Sequence, residues 1–353
     1  MNPQIAQRIK RARLLNCLSQ QELAEALGIS KQMVSRYEKG DTIPASQKLI
    51  QLANLFEVKV DFFFQTLNLE LGEIRFRKKS TLSQKRIASI KEQIRTRLEH
   101  YLWIENLLGI DFQFESPLKH FNPKNLGDLE EAALKIRRAW DIGTDPIFNL
   151  IQMLENQEIK VIELTDIPEN FDGLATFADD KYPVIVLNGA FPVERKRFTL
   201  MHELGHLLLN LSSFAPKEEE KFCNRFAGEM LFPKPDVIRE FGGIRREINL
   251  QELIAIQKKY GLSIQAIVYR LVDCGVFNQR QHAQFYKMLK AHPDLQELVD
   301  ASRFETPERS DRFEQLVYRA LAQEDISISK AASLLDQSIS LVKETALIHL
   351  GAS

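Results

Sequence analysis

Cysteine is scarce in this chain of 353 residues: Cys17, Cys223 and Cys274 are scattered and odd in number. That excludes a disulfide framework and a cysteine-built zinc site, and it points to a reduced, cytoplasmic protein. No apolar run reaches the roughly 18 residues that a membrane-spanning helix needs. The opening MNPQIAQRIKRAR lacks the apolar core of a signal peptide. The expectation is a cytoplasmic chain with no membrane partner. Net charge is also nearly absent, at −1, but it is unevenly spread. Residues 1–97 hold 18 Lys/Arg against 9 Asp/Glu, an excess of +9, so the remainder carries −10. A basic front end suits a polyanion and an acidic rear does not. The length exceeds that of a usual single domain.

What is present begins with short helices. Ile5, Ala6, Ile9, Ala12 and Leu15 recur at helical spacing. Ser19 suits the N-cap of Gln20–Leu27, with Glu22 completing a capping box, and Gly28 ends that helix. Ser30 caps Lys31–Lys39, which completes a helix-turn-helix. Val34 and Tyr37 form the apolar side of its second helix. Ser30, Lys31, Gln32, Ser35 and Arg36 project elsewhere and, with Gln20, are the candidate contacts to base edges and phosphates of double-stranded DNA. LSQQELAEALGISKQMVSRYEKGDTIP followed by LIQLANLFEVKVDFFF resembles the Cro/cI-type (XRE) helix-turn-helix domain.

Residues 75–108 read as a basic amphipathic helix, a connector expected to dock on a second domain. Asp128 is expected to cap LEEAALKIRRAW, and a short helix is expected over Pro146–Gln157. Lys160–Leu164, Gly173–Phe177 and Pro183–Asn188 read as strands. This order predicts an α+β domain with a small sheet.

A helix follows, within which Thr199–Leu209 reads TLMHELGHLLL. His202 and His206 lie four residues apart and share a face, so two imidazoles can grip one metal ion. Glu203 is placed to reach a water at that metal, as a zinc peptidase requires. Gly205 costs about 1 kcal/mol in mid-helix, which suggests that something approaches it closely. A third ligand is needed. Pro216 starts a helix in which Glu218, Glu219 and Glu220 are all available. Glu220 and Asn224 form an i, i+4 pair that could bind metal and orient a histidine.

RFTLMHELGHLLL followed by EKFCNRFAGEMLFP, together with DGLATF, PVIVLN and AALKIRRAW, resembles the ImmA/IrrE family of metallopeptidases, often fused to an XRE domain. The resemblance singles out Glu220 from the acidic triplet. It implies Zn(2+) on His202, His206 and Glu220, with Glu203 as base and Asn224 behind a histidine. It also implies a narrow protein target, such as a repressor, cut under stress or mobile-element control. Two departures stand out: Cys223 replaces the usual Ala, and Asn210 stands where a His is common.

Further on, Leu250–Tyr260 and the Ser263-capped IQAIVYRLVDCG read as helices, with Tyr269 expected inside and Arg270 at the surface. Residues 311–345 faintly echo a second helix-turn-helix without a basic face, which suggests packing or homodimerisation. The expected architecture is multidomain. An all-α helix-turn-helix domain (1–68) leads through a basic helical linker (69–125) to an α+β zincin-like metallopeptidase domain (126–245) and a helical C-terminal region (246–353). The expected function is a regulatory zinc metallopeptidase with its own DNA-binding domain, the strand Pro183–Asn188 holding its substrate. The alternative is an XRE-type regulator or antitoxin-like module whose metal site is structural or sensory.

Overall fold

The computed structural model describes residues 3–64, 69–72 and 83–350. The chain divides into two compact units, residues 1–72 with 76–109, and residues 73–75 with 110–353.

The first unit holds α1 (Pro3–Leu15), α2 (Gln20–Leu27), α3 (Lys31–Lys39) and α4 (Ser46–Leu55), then a 3₁₀ turn at Val60–Phe64 and α5 (Gln84–Leu107). The local signals act as expected. Ser19 and Glu22 form a reciprocal capping box, and Gly28 closes α2 in the left-handed region at φ 62°. Ser30 accepts from Met33 N at the start of α3. Ile9, Leu23, Val34, Leu52 and Phe63 fill the core.

The helix expected to dock on the second domain instead packs on α1. Ser89 Oγ of α5 donates to Leu15 O at 3.0 Å. Glu99 sits between Arg8, at 3.0 Å, and Arg11, at 2.5 Å. Two of the three acids buried on α5, Glu92 and Glu99, match the arginines of α1, whereas the count of basic residues on α5 says nothing about its partner. Residues 75–82 of the expected basic connector lie outside the described residues.

The second unit opens with α6 (Asp128–Ala139), α7 (Leu150–Asn156), β1 (Lys160–Leu164), β2 (Gly173–Ala178) and β3 (Tyr182–Asn188). Asp128 is not the cap of α6; its carboxylate accepts from Lys124 N at 2.7 Å and shapes the preceding turn. Asn149, not the Pro146 region, starts α7 by accepting from Gln152 N. The sheet order is β1–β3–β2, with β1 parallel and β2 antiparallel to β3. β3 is therefore central. Its main chain is used on both sides and Val184, Ile185, Val186 and Leu187 are fully buried, so the Pro183–Asn188 strand is not open to pair with a substrate.

The helices that follow are α8 (Val193–Leu208), α9 (Pro216–Leu231), α10 (Lys234–Phe241), α11 (Leu250–Tyr260), α12 (Ile264–Asp273), α13 (Gln279–Ala291), α14 (Pro293–Ala301), α15 (Arg312–Ala322), α16 (Ile328–Leu335) and α17 (Ile339–Leu350). One hydrophobic core joins α6–α9 and the sheet to Leu253, Ile267, Leu271, Leu289 and Val299. The first half of the helical C-terminal region thus shares its core with the sheet and the HExxH helix.

Candidate metal centre

The centre rests on α8, whose first two turns are tied to distant chain. Arg197 Nη2 donates to Ile147 O at 2.6 Å and Tyr260 O at 3.2 Å, while Nη1 pairs with Glu308. Glu308 also accepts from Ile151 N at 2.8 Å. Burial pushes the Glu308 carboxyl above its ordinary range, and Arg197 opposes the shift. Glu194, one turn earlier, accepts from Phe304 N at 2.7 Å. No local pattern in the sequence marks this strap, because the partners of Arg197 and Glu194 stand 50 to 111 residues away.

Two turns further along α8, His202 and His206 bring their Nε2 atoms to 3.1 Å of each other. From α9, Glu220 sets Oε2 3.6 Å from His202 Nε2 and Oε1 3.6 Å from His206 Nε2. In a tetrahedral zinc site with bonds near 2.0–2.1 Å, neighbouring donor atoms stand about 3.3 Å apart, so this spacing fits such an ion. The protonation pattern fits as well. Asn224 Oδ1 lies 2.9 Å from His202 Nδ1 and accepts its proton, which leaves the Nε2 lone pair aimed into the cluster. His202 is buried, whereas His206 and Glu220 keep 28% and 40% of their side chains exposed, so the centre opens on one side. The structure thus brings His202, His206 and Glu220 together, without Glu218 or Glu219 in the cluster.

Two glycines set the walls. A Cβ at Gly205 would lie 3.2–3.3 Å from Phe226 Cδ1 and from Cys223 Cα and Cβ, so the glycine lets α8 and α9 approach closely enough to share the cluster. Cys223, in the place of the usual Ala, is the surface that Gly205 meets. At the near end of the edge strand, a Cβ at Gly173 would meet Val186 O and Thr199 Cγ2 at 2.8 Å and Glu203 Cγ at 3.3 Å. β2 therefore runs in contact with the HExxH helix, beside Glu203, which is itself 4% exposed. Asn188 fixes the loop leading into β2, donating to Phe171 O at 3.1 Å and accepting from Ala190 N. Within DGLATF and PVIVLN these roles of Gly173 and Asn188 escape a reading of the sequence. Asn210 donates to Asn122 Oδ1 at 2.7 Å, away from the ligands.

The expectation for α12 is reversed. Tyr269 is 58% exposed, and Arg270 is 1% exposed. Arg270 pairs bidentately with Glu229, with Nη1 at 2.8 Å, and its Nε donates to Phe232 O. An arginine can be buried when its whole guanidinium is matched, and Glu229 on α9 supplies the match.

In the first unit, Lys31, Gln32 and Arg36 are exposed on α3, Ser35 is half-buried, and Ser30 is spent partly on capping. Gln20 is held by Glu38 at 2.8 Å. Gln20 and Lys31 open α2 and α3, and Arg36 lies in the last turn of α3.

Residues 9–63 match a helix-turn-helix family model, and residues 154–272 match the model of the IrrE N-terminal-like domain, a peptidase family. An uncharacterized transcriptional regulator in the ATPase CF(0) region of Rhodospirillum rubrum is 32% identical over 71 residues, 20% of this chain and 64% of that protein. The radiation response metalloprotease IrrE of Deinococcus radiodurans is 31% identical over 111 residues, 27% of this chain and 32% of that protein. The chain thus spans less than two thirds of each of these relatives. A solved structure of Bacillus thuringiensis PlcR in complex with the peptide PapR7 and DNA aligns over 99% of this chain and 89% of that one, with 14% identity and a TM-score of 0.19, too low to bear on the fold. The chain carries an XRE-type helix-turn-helix domain at its front and an IrrE N-terminal-like peptidase domain in its second unit.

Proposed function

We propose that this protein is a regulatory zinc metallopeptidase that binds DNA through its own helix-turn-helix and cuts a specific partner, such as a transcriptional repressor, in the cytoplasm. The observation that carries the reading is the convergence of His202, His206 and Glu220 on one open point, with Glu203 next to the first ligand. Zinc held there would polarise the scissile carbonyl and acidify a water. Glu203, next to His202 on α8, would be the carboxylate that accepts a proton from water and returns it to the leaving amine. Asn224 keeps His202 in the ligating tautomer. The edge strand β2, beside Glu203, replaces the central β3 as the strand that holds substrate extended by main-chain pairing. Gln20, Ser30, Lys31, Gln32, Ser35 and Arg36 contact DNA.

A purely structural or sensory metal site has no use for a carboxylate in the position of Glu203. The test is co-expression with the products of neighbouring genes, wild type against Glu203→Gln, with metal content measured on both. The expected outcome is a cleaved partner with wild type only, and about one zinc per chain in each protein. Cleavage that persists in Glu203→Gln would sink the assignment.

A further inference from the structure

The last three helices repeat the geometry of the first three. One constant offset along the chain takes Ser19 to Ser327, Gly28 to Asp336 and Ser30 to Ser338. Ser327 caps α16 by accepting from Lys330 N, as Ser19 caps α2. Asp336 ends α16 in the left-handed region at φ 54°, as Gly28 ends α2 at φ 62°. Ser338 Oγ accepts from Leu341 N at 3.2 Å, the same distance as Met33 N to Ser30 Oγ. The same offset relates the packed centres Ile9 to Val317, Ala12 to Ala320 and Val34 to Val342, all buried to 1% exposure or less.

The outward face is different. Where α3 shows Lys31, Gln32, Ser35 and Arg36, α17 shows Ile339, Ser340, Lys343 and Glu344, all exposed. Glu344 in the place of Arg36 would set a carboxylate against phosphates, and Ile339 offers no donor to a base edge. Seven of the twelve residues of ISLVKETALIHL are apolar, a share that calls for a covering surface. Yet Ile339 is 53% and Leu341 47% exposed, and among the described side chains of α17 only Val342 is buried.

We infer that α15–α17 form a second helix-turn-helix whose outward turn pairs two copies of this chain and does not read DNA. The surface is self-complementary. Ile339 and Leu341 give it an apolar centre, and the adjacent Lys343 and Glu344 let each copy's cation meet the other's anion across a two-fold axis. The occupant follows from the front of the chain as well. A single helix-turn-helix reads one half-site, and a second copy supplies the other. The inference does not depend on peptidase activity.

Sedimentation equilibrium of the full chain tests it. Wild type is expected to dimerise below roughly 100 µM, and Ile339→Glu combined with Leu341→Glu to weaken the dimer at least about tenfold. Lys343→Glu alone should weaken it about fivefold, through two surface pairs lost by symmetry, and adding Glu344→Lys should restore it. That reciprocal rescue decides the matter even where the apolar variant loses helicity by circular dichroism. A wild type that stays monomeric, a dimer indifferent to all these changes, or a single reversal that the double exchange fails to rescue would overturn the inference.

Discussion

Replacing Asn224 with alanine removes the oxygen 2.9 Å from His202 Nδ1. His202 is 1% exposed, so water does not take over, and a buried N–H left without an acceptor costs about 1–3 kcal/mol. Without metal the imidazole can escape that cost by moving its proton to Nε2, where His206 Nε2 at 3.1 Å accepts it. That tautomer has no lone pair at the ligand position. Zinc binding must reverse the transfer and restore the unsatisfied N–H, so the penalty falls on metal affinity and leaves the apo fold nearly untouched. The expected result is a zinc Kd raised about 10–100-fold, in line with the loss of a partner that orients a ligating histidine. The apo melting temperature should move by less than about 2 °C. Asn224→Asp, which keeps the acceptor, should bind zinc within a few-fold of wild type. Competition against a chromogenic chelator reads the affinities. Unchanged affinity in Asn224→Ala would refute the reasoning, as would a large apo destabilisation with no loss of affinity, since Asn224 would then serve packing alone.

Gly205→Ala gains about 1 kcal/mol of helix propensity, but its methyl group meets Phe226 and Cys223 at 3.2–3.3 Å. Because Glu220 rides on the displaced helix α9, chelator competition should show weaker zinc binding in a protein whose stability changes little. Glu229→Gln strands Arg270, whose side chain is 1% exposed; urea unfolding should show a loss of about 3–5 kcal/mol, partly recovered by adding Arg270→Met. Glu22 is held down to about 2 by Lys85 first and then Ser19. A depressed carboxyl contributes stability above its unfolded pKa, near 4.5, and loses it as pH falls towards 2. Thermal melts of wild type and Glu22→Gln should therefore differ most above about pH 5 and converge only as the pH falls to about 2. Burial raises the Cys274 thiol to about 11, so alkylation by iodoacetamide at neutral pH should be slow there, and mass spectrometry of the labelled protein checks it.

The features legible in the sequence are those whose physics lies within a few residues. Ser19, Gly28, Ser30 and Ser263 mark helix ends because a cap bonds to backbone two or three positions away. His202 and His206 declare a shared face by their spacing alone. An apolar stripe on α5 shows that the helix buries one side, but the partner is chosen by Glu92 and Glu99 against Arg8 and Arg11, which no local pattern records. Arg270 reads as a surface residue until Glu229, 41 positions earlier, is brought against it.

The same distinction runs through the metal centre itself. Its candidate histidines are legible because helical periodicity puts His202 and His206 on one face, whereas Glu220 stands out from Glu218 and Glu219 only through the family resemblance. Its substrate side is not legible, because the order β1–β3–β2 places the later strand in the middle. Strand order follows from pairing between segments, and β3, with the most continuous apolar run, pairs on both sides and leaves no open main chain for a substrate. Gly173 then becomes intelligible: only a residue without a side chain lets the true edge strand lie against Thr199 and Glu203. Gly173→Ala should therefore disturb Glu203 more than the metal. Cleavage should fall while zinc affinity stays within a few-fold of wild type, and an equal loss of both would place the glycine in the support of the whole helix instead.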